Sequence, residues 1–301
     1  MQTNGFHKAD LHMHSTWSDG TDSPRELLDK VIAAGIDFFS ITDHDEYRGG
    51  RELILQVKKR KQTEVMPYFI SGAEFSCRDD LGKYHILGYA YDIKNEAVRK
   101  LMEAVHEVRI QKVTNRMRFL KERYGFHFSE SEIASLMKHR NPGKPHIAKL
   151  MVRHRYAGTI SEAILGFIDH YHGPERRIHP EEAIEAVIQG GGIPVLAHGP
   201  FGDGEQNLDK KEMTARVERL MNAGLMGLEC YYSGFAEVHQ DMMLELASRY
   251  HLLVTAGSDY HGENKLVRLG NTGRSDPAEI NERIRDFWVE AMKRGDSYSL
   301  N

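Results

Sequence analysis

The stretch Ala9-Asp10-Leu11-His12-Met13-His14 alternates apolar with ionisable side chains. Such alternation predicts a β-strand, in which residues i and i+2 share one face about 6.5 Å apart. His12 and His14 then project side by side, close enough to grip one ion. Some 250 residues later, Ser258-Asp259-Tyr260-His261 offers a second alternating pair, Asp259 and His261. A lone His-x-His is a common surface pattern, so the rest of the chain must decide what this one does.

Outward from that stretch, short apolar runs bounded by Gly, Pro or polar residues alternate with helical patterns, the signature of repeated β-α units. Seven strands are expected, at 9–14, 38–42, 68–75, 84–89, 193–197, 227–231 and 252–256. Ser23-Pro24-Arg25-Glu26 sets a cap residue before a Pro suited to the first helical position, with Leu27, Leu28, Val31 and Ile32 following at helical spacing. Pro180-Glu181-Glu182-Ala183 opens another helix in the same way. Asp79-Asp80-Leu81-Gly82 reads as a turn, so the third and fourth strands form an antiparallel hairpin. From about 95 to 179 the pattern is helix upon helix, with the basic loop Arg140-Asn141-Pro142-Gly143-Lys144-Pro145-His146. The expected organisation is an irregular α/β barrel built from 1–95 and 179–301, with a helical insertion or cap over 96–178.

Composition narrows the function. With 40 basic and 44 acidic residues the net charge is -4, so no whole-molecule field favours duplex DNA or an anionic membrane, and any anion must be held locally. The two cysteines, Cys77 and Cys230, have no thiolate-site spacing and read as small buried hydrophobes in a reducing cytosol. Met1-Gln2-Thr3-Asn4-Gly5 leads into the first strand without an apolar leader, and no apolar run approaches a membrane span. A cytoplasmic protein is expected. Lys58-Lys59-Arg60-Lys61 reads as the solvated face of a helix.

Histidine is the anomaly, with 17 residues. In β-α barrels functional side chains sit at the C-terminal ends of strands, on loops converging over one mouth. Here the first strand ends in His12 and His14, with Asp19 in the loop beyond; the second ends in Asp43-His44; the third ends near Glu74, and the hairpin returns with His85. The fifth ends in His198, and the seventh runs through Gly257 into Asp259 and His261. Each taken singly has a plainer reading, a histidine bonded to backbone or an aspartate capping a helix. Five strand ends bearing metal-capable groups together point to a metal centre.

Seven motifs in order carry a family resemblance: Asp10-Leu11-His12-Met13-His14-Ser15, Ser18-Asp19-Gly20, Ile41-Thr42-Asp43-His44-Asp45, Gly72-Ala73-Glu74-Phe75-Ser76, His85-Ile86-Leu87-Gly88-Tyr89, Leu196-Ala197-His198 and Gly257-Ser258-Asp259-Tyr260-His261. The chain resembles the PHP (polymerase and histidinol phosphatase) family of metal-dependent phosphoesterases. Lys144-Pro145-His146-Ile147-Ala148 further resembles the branch that hydrolyses nucleoside phosphates. The resemblance implies a distorted seven-stranded, TIM-like β/α barrel with three divalent ions. His12, His14, Glu74 and Asp259 would hold the first, Glu74, His85 and His198 the second, and Asp19, His44 and His261 the third. Glu74, Asp259, His198 and Asp19 would be the catalytic members of that set.

Imidazole and carboxylate without thiolate suit Mn, Fe or Zn over Mg or Ca. Three such ions against three carboxylates leave about +3 at the mouth, enough to draw a phosphate to a mildly acidic protein. Paired ions can generate a hydroxide that attacks phosphorus in line, so no serine or cysteine nucleophile is required. Asp43 reads either as a group that orients a ligand histidine or as a helix cap.

For the substrate, Arg109, Lys112 and Arg116 share one helix face, either to hold a phosphate or base or as a solvated face. Lys144 and His146 are candidates through the resemblance, with Lys144 standing where relatives usually have Arg, a point charge in place of a fork. His239 reads as a phosphate contact or as a plain surface histidine. Gly199-Pro200 after His198, and Tyr231-Tyr232-Ser233-Gly234, depart from the family pattern near the mouth. The expected activity is a phosphatase for nucleoside 3′,5′-bisphosphates, monophosphates or short RNA. The rivals are a histidinol-phosphate or other small-molecule phosphatase, and a metal-binding module without catalysis.

Overall fold

The local signals resolve into regular elements in a computed structural model that describes residues 6–57, 66–139, 141–202, 206–273 and 276–294, and the backbone of 297–299. The basic run at 58–61 lies outside the described residues. The strands are β1 (Ala9–Asp10), β2 (Phe38–Phe39), β3 (Tyr68–Ile70), β4 (Gly72–Asp79), β5 (Gly82–Tyr89), β6 (Ile193–Ala197), β7 (Gly227–Tyr232), β8 (Leu253–Gly257) and β9 (Ser297–Ser299). The helices are α1 (Pro24–Ala33), α2 (Arg48–Val57), α3 (Glu96–Tyr124), α4 (Glu130–Met137), α5 (Lys144–Arg153), α6 (Ile160–Gly166), α7 (Pro180–Gln189), α8 (Lys210–Asn222), α9 (Glu237–Tyr250), α10 (Pro277–Arg283) and α11 (Arg285–Lys293).

The strands form two sheets, ordered β1-β2-β3-β9 and β4-β5-β6-β7-β8. Strands β1 to β3 run parallel, with β9 antiparallel at the edge. In the second sheet β4-β5 and β5-β6 pair antiparallel, while β6 to β8 run parallel. The hairpin at 79–82 forms as expected, with Asp79 opposite Gly82 and Leu81 N donating to Asp79 Oδ1 at 2.8 Å.

One closed seven-stranded barrel is therefore not what the hydrogen bonding gives. Neither sheet closes on itself, the expected strand at 68–75 divides into β3 and β4, and β9 was not anticipated. The reason lies in buried and half-buried carboxylates that capture backbone N–H groups a ladder would use. Asp10 takes His12 N, Asp43 takes Ser15 N, Asp45 takes Ser76 N and Glu229 takes His198 N, at 2.7 to 3.3 Å. A donor bonded to a side chain cannot also extend a ladder. The strand expected over 9–14 thus stops as a ladder at Asp10. Short parallel bridges then join the sheets, Met13 with Tyr260 and His44 with Glu74, through His14 N to Tyr260 O at 2.9 Å, Asp259 N to His12 O at 2.8 Å, Asp45 N to Glu74 O at 2.8 Å and Glu74 N to Asp43 O at 3.2 Å.

The chain divides into two compact units, 1–101 with 179–301, and 102–178. In the first, α1 starts at a reciprocal capping box between Ser23 and Glu26. Its Leu27, Leu28 and Val31 pack with Leu53 of α2 against Phe39, Ile41 and Phe69. The second unit has its own core of Val113, Met117, Leu120, Ile147, Met151 and Ile168. Fully burying a side chain of this size is worth roughly 1.5–3 kcal/mol, so each unit has an apolar centre of its own. Cys77 and Cys230 are both buried and unbridged. Among the described residues no helix is long and apolar enough to cross a membrane.

Candidate metal centre

The interrupted strand ends bring together all nine side chains singled out as metal ligands. Glu74 stands at their centre, fully buried. Its Oε2 lies 3.3 Å from His12 Nε2, 3.1 Å from His14 Nε2 and 3.0 Å from His44 Nδ1. Its Oε1 lies 2.8 Å from His85 Nδ1 and 3.2 Å from His198 Nε2, which are themselves 3.3 Å apart. Asp259 Oδ1 closes on His14 Nε2 at 3.2 Å and on His12 Nε2 at 3.5 Å. Toward the outside, Asp19 faces His261 Nε2 at 3.2 Å and His44 Nε2 at 3.8 Å.

What these atoms can do follows from how they are held. Buried polar atoms almost always find hydrogen-bond partners. His12 Nε2, His14 Nε2 and Glu74 Oε2 have none, although they crowd one another. On three rings the opposite nitrogen is committed. His12 Nδ1 donates to Glu229 Oε1 at 2.9 Å, and His261 Nδ1 to the Asp259 carbonyl at 2.8 Å. Ser18 donates to Asp43 at 2.7 Å and so accepts from His14 Nδ1 at 3.3 Å. Each bond leaves a lone pair on the inward Nε2, the arrangement by which outer hydrogen bonds prepare a metal-ligating imidazole. The donor set thus fits divalent cations, and four overlapping groups of three or more ligand atoms can be drawn from it: His12 with His14 and Glu74; His12 with His198 and Asp259; His44 with Glu74 and His85; and His14, Asp19, His44 and His261.

Several of the holding groups escaped the sequence reading. Glu229, near the middle of β7, accepts from both His12 Nδ1 and His198 N. Its signal was a lone acid inside the apolar run Gly227-Leu228-Glu229-Cys230-Tyr231, read only as strand. Asp10 accepts from Ser258 N, Ser258 Oγ and Gly270 N. Tyr232 Oη donates to Asp259 Oδ2 at 3.1 Å and Lys265 Nζ at 2.6 Å, leaving Oδ1 to the histidines. Asp43, read as an orienter or a cap, reaches His14 through Ser18. The capping role falls to Glu46, which accepts from Tyr47 N and Arg48 N.

Backbone strain gathers here too. Asp45, His198 and Asp259 have φ of 54°, 28° and 56°, a region non-glycine residues seldom occupy and which clusters at functional sites. Gly257 permits a close approach, since a Cβ there would sit 2.2 Å from His12 Cβ and 2.6 Å from Glu229 Oε1. Overpacking of this kind typically costs about 1–3 kcal/mol. Gly257→Ala is therefore expected to lower the chemical-denaturation midpoint and the bound metal together; an unchanged midpoint with full metal would refute the close fit.

Without cations the carboxylates recruit protons. Burial pushes the His14 imidazole down, but Asp259 and Glu74 outweigh it and hold the pKa at about 9. His12 is likewise raised, against burial, by Glu74, Glu229 and Asp259. His44 falls to about 3, chiefly through burial, helped by the charges of His14 and His85. Burial opposes ionisation of Glu74, yet His85, His44 and His12 hold its carboxyl well below the usual range. A metal binds neutral imidazole, so at pH 7 uptake must expel protons from His12 and His14. Metal addition to chelator-stripped protein in weak buffer should release about two protons in all, from His12 and His14, and affinity should climb as pH rises toward 9. Uptake without proton release would contradict this charge balance.

The substrate candidates are less exposed to a ligand than their spacing implied. Within the second unit Lys144 pairs with Asp169 at 2.5 Å, and Arg116 pairs with Glu175 at 2.6 Å. The ring of His146 lies 4.5 Å from that of His139, and burial followed by the charges of His139, Lys149 and Arg109 lowers its pKa. In the first unit His239 accepts at Nδ1 from Ala236 N at 3.3 Å and packs against Phe201. It is neither isolated nor a plain surface residue.

Comparison with known proteins agrees with this geometry. A family profile described as the PHP domain matches residues 10–190. The chain is 26% identical over 291 residues to a phosphoribosyl 1,2-cyclic phosphate 1,2-diphosphodiesterase of Eggerthella lenta, covering 89% of this chain and 99% of that one. It is 23% identical to a 3′,5′-nucleoside bisphosphate phosphatase of Chromobacterium violaceum, covering 95% and 96%. Among solved structures, a candidate metal-dependent phosphoesterase from Bifidobacterium adolescentis superposes with a TM-score of 0.72 at 28% identity, over 91% of this chain and 96% of that one.

Proposed function

The chain belongs to the PHP-domain family of metal-dependent phosphoesterases and is a hydrolase, and from that premise we propose that it removes phosphate from nucleotides. The observation that carries this reading is Glu74, whose two oxygens face two different ligand groups, His12 with His14 and His85 with His198. Such a carboxylate suits a bridge between two ions. In the full assignment His12, His14, Glu74 and Asp259 hold one ion, Glu74, His85 and His198 a second, and Asp19, His44 and His261 a third. Mn, Fe and Zn are the ions that suit six imidazoles and three carboxylates.

Divalent ions bound there would supply Lewis acidity toward the phosphoryl oxygens and a water acidic enough to attack at neutral pH. The chain's own groups do the placing. Glu229, Ser18 and the Asp259 carbonyl fix which nitrogen each of His12, His14 and His261 presents. Lys265 and Tyr232 hold Asp259 in one orientation. Asp19, half exposed at the edge of the cluster, is the ligand candidate most open to solvent. Lys144, His146, Arg109 and Arg116 remain proposed substrate-binding residues.

A sugar phosphate is the second reading, favoured by likeness to the Eggerthella lenta diphosphodiesterase. The test measures phosphate release by metal-analysed protein from nucleoside monophosphates, nucleoside 3′,5′-bisphosphates, short RNA, ribose phosphates and histidinol phosphate. Nucleotide turnover well above the rest is expected. Equal turnover of histidinol phosphate would favour a small-molecule phosphatase, and tight metal binding with no turnover of any substrate would leave a binding module.

A further inference from the structure

Beside the ligand cluster lies a group of rings of which the metal site engages only the Tyr232 hydroxyl, at Asp259. Tyr232, at the end of β7, packs 5.2 Å from the His198 ring on one side and 5.2 Å from Phe235 on the other. Phe201, three residues after His198, meets Phe235 at 5.4 Å and His239 at 4.8 Å. Phe235 is buried, whereas Phe201, Tyr232 and His239 keep part of their surface in solvent. The rings come from the loop after β6 (Phe201), the end of β7 (Tyr232), the loop beyond it (Phe235) and the first turn of α9 (His239), next to the strands that deliver His198 and Glu229. A purely structural cluster has no need to sit at a charged centre with three of its four rings half open. An apolar wall next to convergent charge suits a ligand with an anionic end and an aromatic end.

We propose that Phe201, Tyr232, Phe235 and His239 form a stacking subsite for the nucleobase of a substrate whose phosphate lies at the metal-ligand cluster. The proposal rests on the nucleotide reading above and adds to it where the base goes. Tyr232 joins the two halves, since its ring belongs to the wall and its hydroxyl donates to Asp259. Because His239 Nδ1 accepts from Ala236 N, the neutral ring carries its proton on Nε2, a donor for the acceptor edge of a base. Stacking of this kind tolerates any base, because every base has a π face. The subsite therefore selects nucleotides over base-free sugar phosphates without choosing strongly among bases.

The experiment compares kcat/KM for adenosine 5′-phosphate and ribose 5-phosphate, alongside calorimetric titration of adenosine and ribose, in the wild type, Phe201→Leu and Phe201→Trp. The wild type is expected to prefer the nucleotide by roughly tenfold or more, and to bind adenosine but not ribose. Phe201→Leu should cut both the preference and the adenosine affinity roughly tenfold, while Phe201→Trp keeps them. Adenosine binding that is absent in the wild type, or equal in all three proteins, overturns the subsite whether or not phosphate is released. Adenosine binding that depends on Phe201, with neither phosphate ester hydrolysed, would instead overturn the phosphatase reading and leave the subsite standing. Should Phe201→Leu fail to fold, adenosine against ribose in the wild type and the retention of affinity by Phe201→Trp still decide.

Discussion

Glu74→Gln is expected to strip the protein of bound divalent metal and to lower phosphate release by roughly 10³-fold. The side chain is fully buried, and both oxygens face imidazole nitrogens at 2.8 to 3.3 Å. Glutamine matches its shape but replaces one acceptor oxygen with an NH₂ donor. Either the His12 and His14 side or the His85 and His198 side must then lose its anionic partner. The change also removes a buried negative charge from among six histidines, so cations lose their central counter-charge. Elemental analysis and initial rates on the same preparation check this, with circular dichroism to confirm the fold. A variant that keeps both its metal and its rate would sink the bridging role, and with it the shared site.

The second large effect is expected at Glu229, which the ions need never touch. Glu229→Ala removes the acceptor for His12 Nδ1 and for His198 N, both buried. The His12 ring is then free to change tautomer and turn its proton inward. Loss of such an outer partner typically costs 10–100-fold in metal affinity, and an orphaned buried N–H about 1–3 kcal/mol in stability. Glu229→Gln should fall between, because one amide oxygen can accept from only one of the two donors well while the NH₂ opposes the other. Metal titration and chemical denaturation of both variants are the measurements. If Glu229→Ala binds metal as the wild type does, the carboxylate is merely filling space.

How much of this was written in the sequence can be judged residue by residue. The nine candidate positions that converge were legible because most stand at or just beyond the end of an apolar run, and a chain that ends strands in His, Asp or Glu advertises the mouth of a β-α fold. The division into two sheets was not. It depends on carboxylates meeting backbone groups far away in the chain, such as Asp10 with Ser258 and Gly270, and no local pattern encodes which N–H a distant acid will take. Strand β9 pairs with β3 across more than 220 residues, again beyond any window of periodicity. Glu229 was visible but misread, since an acid inside a strand looks the same whether it faces solvent or a histidine. For Arg116 helical spacing, and for Lys144 the resemblance, pointed to the residue but not to the acid opposite, Glu175 and Asp169. Spacing along one element says nothing about the charge another element brings to it.

The carboxylate of Asp10 also sets a timetable. It is satisfied only when Ser258 and Gly270 reach it, while the ligands themselves run from His12 to His261. Here the earliest candidate ligands wait for nearly the whole chain, because the contacts that aim them are among the most distant in sequence and so are slow to form. A chain cut short of Asp259 would present His12 and His14 without the carboxylate that faces them both.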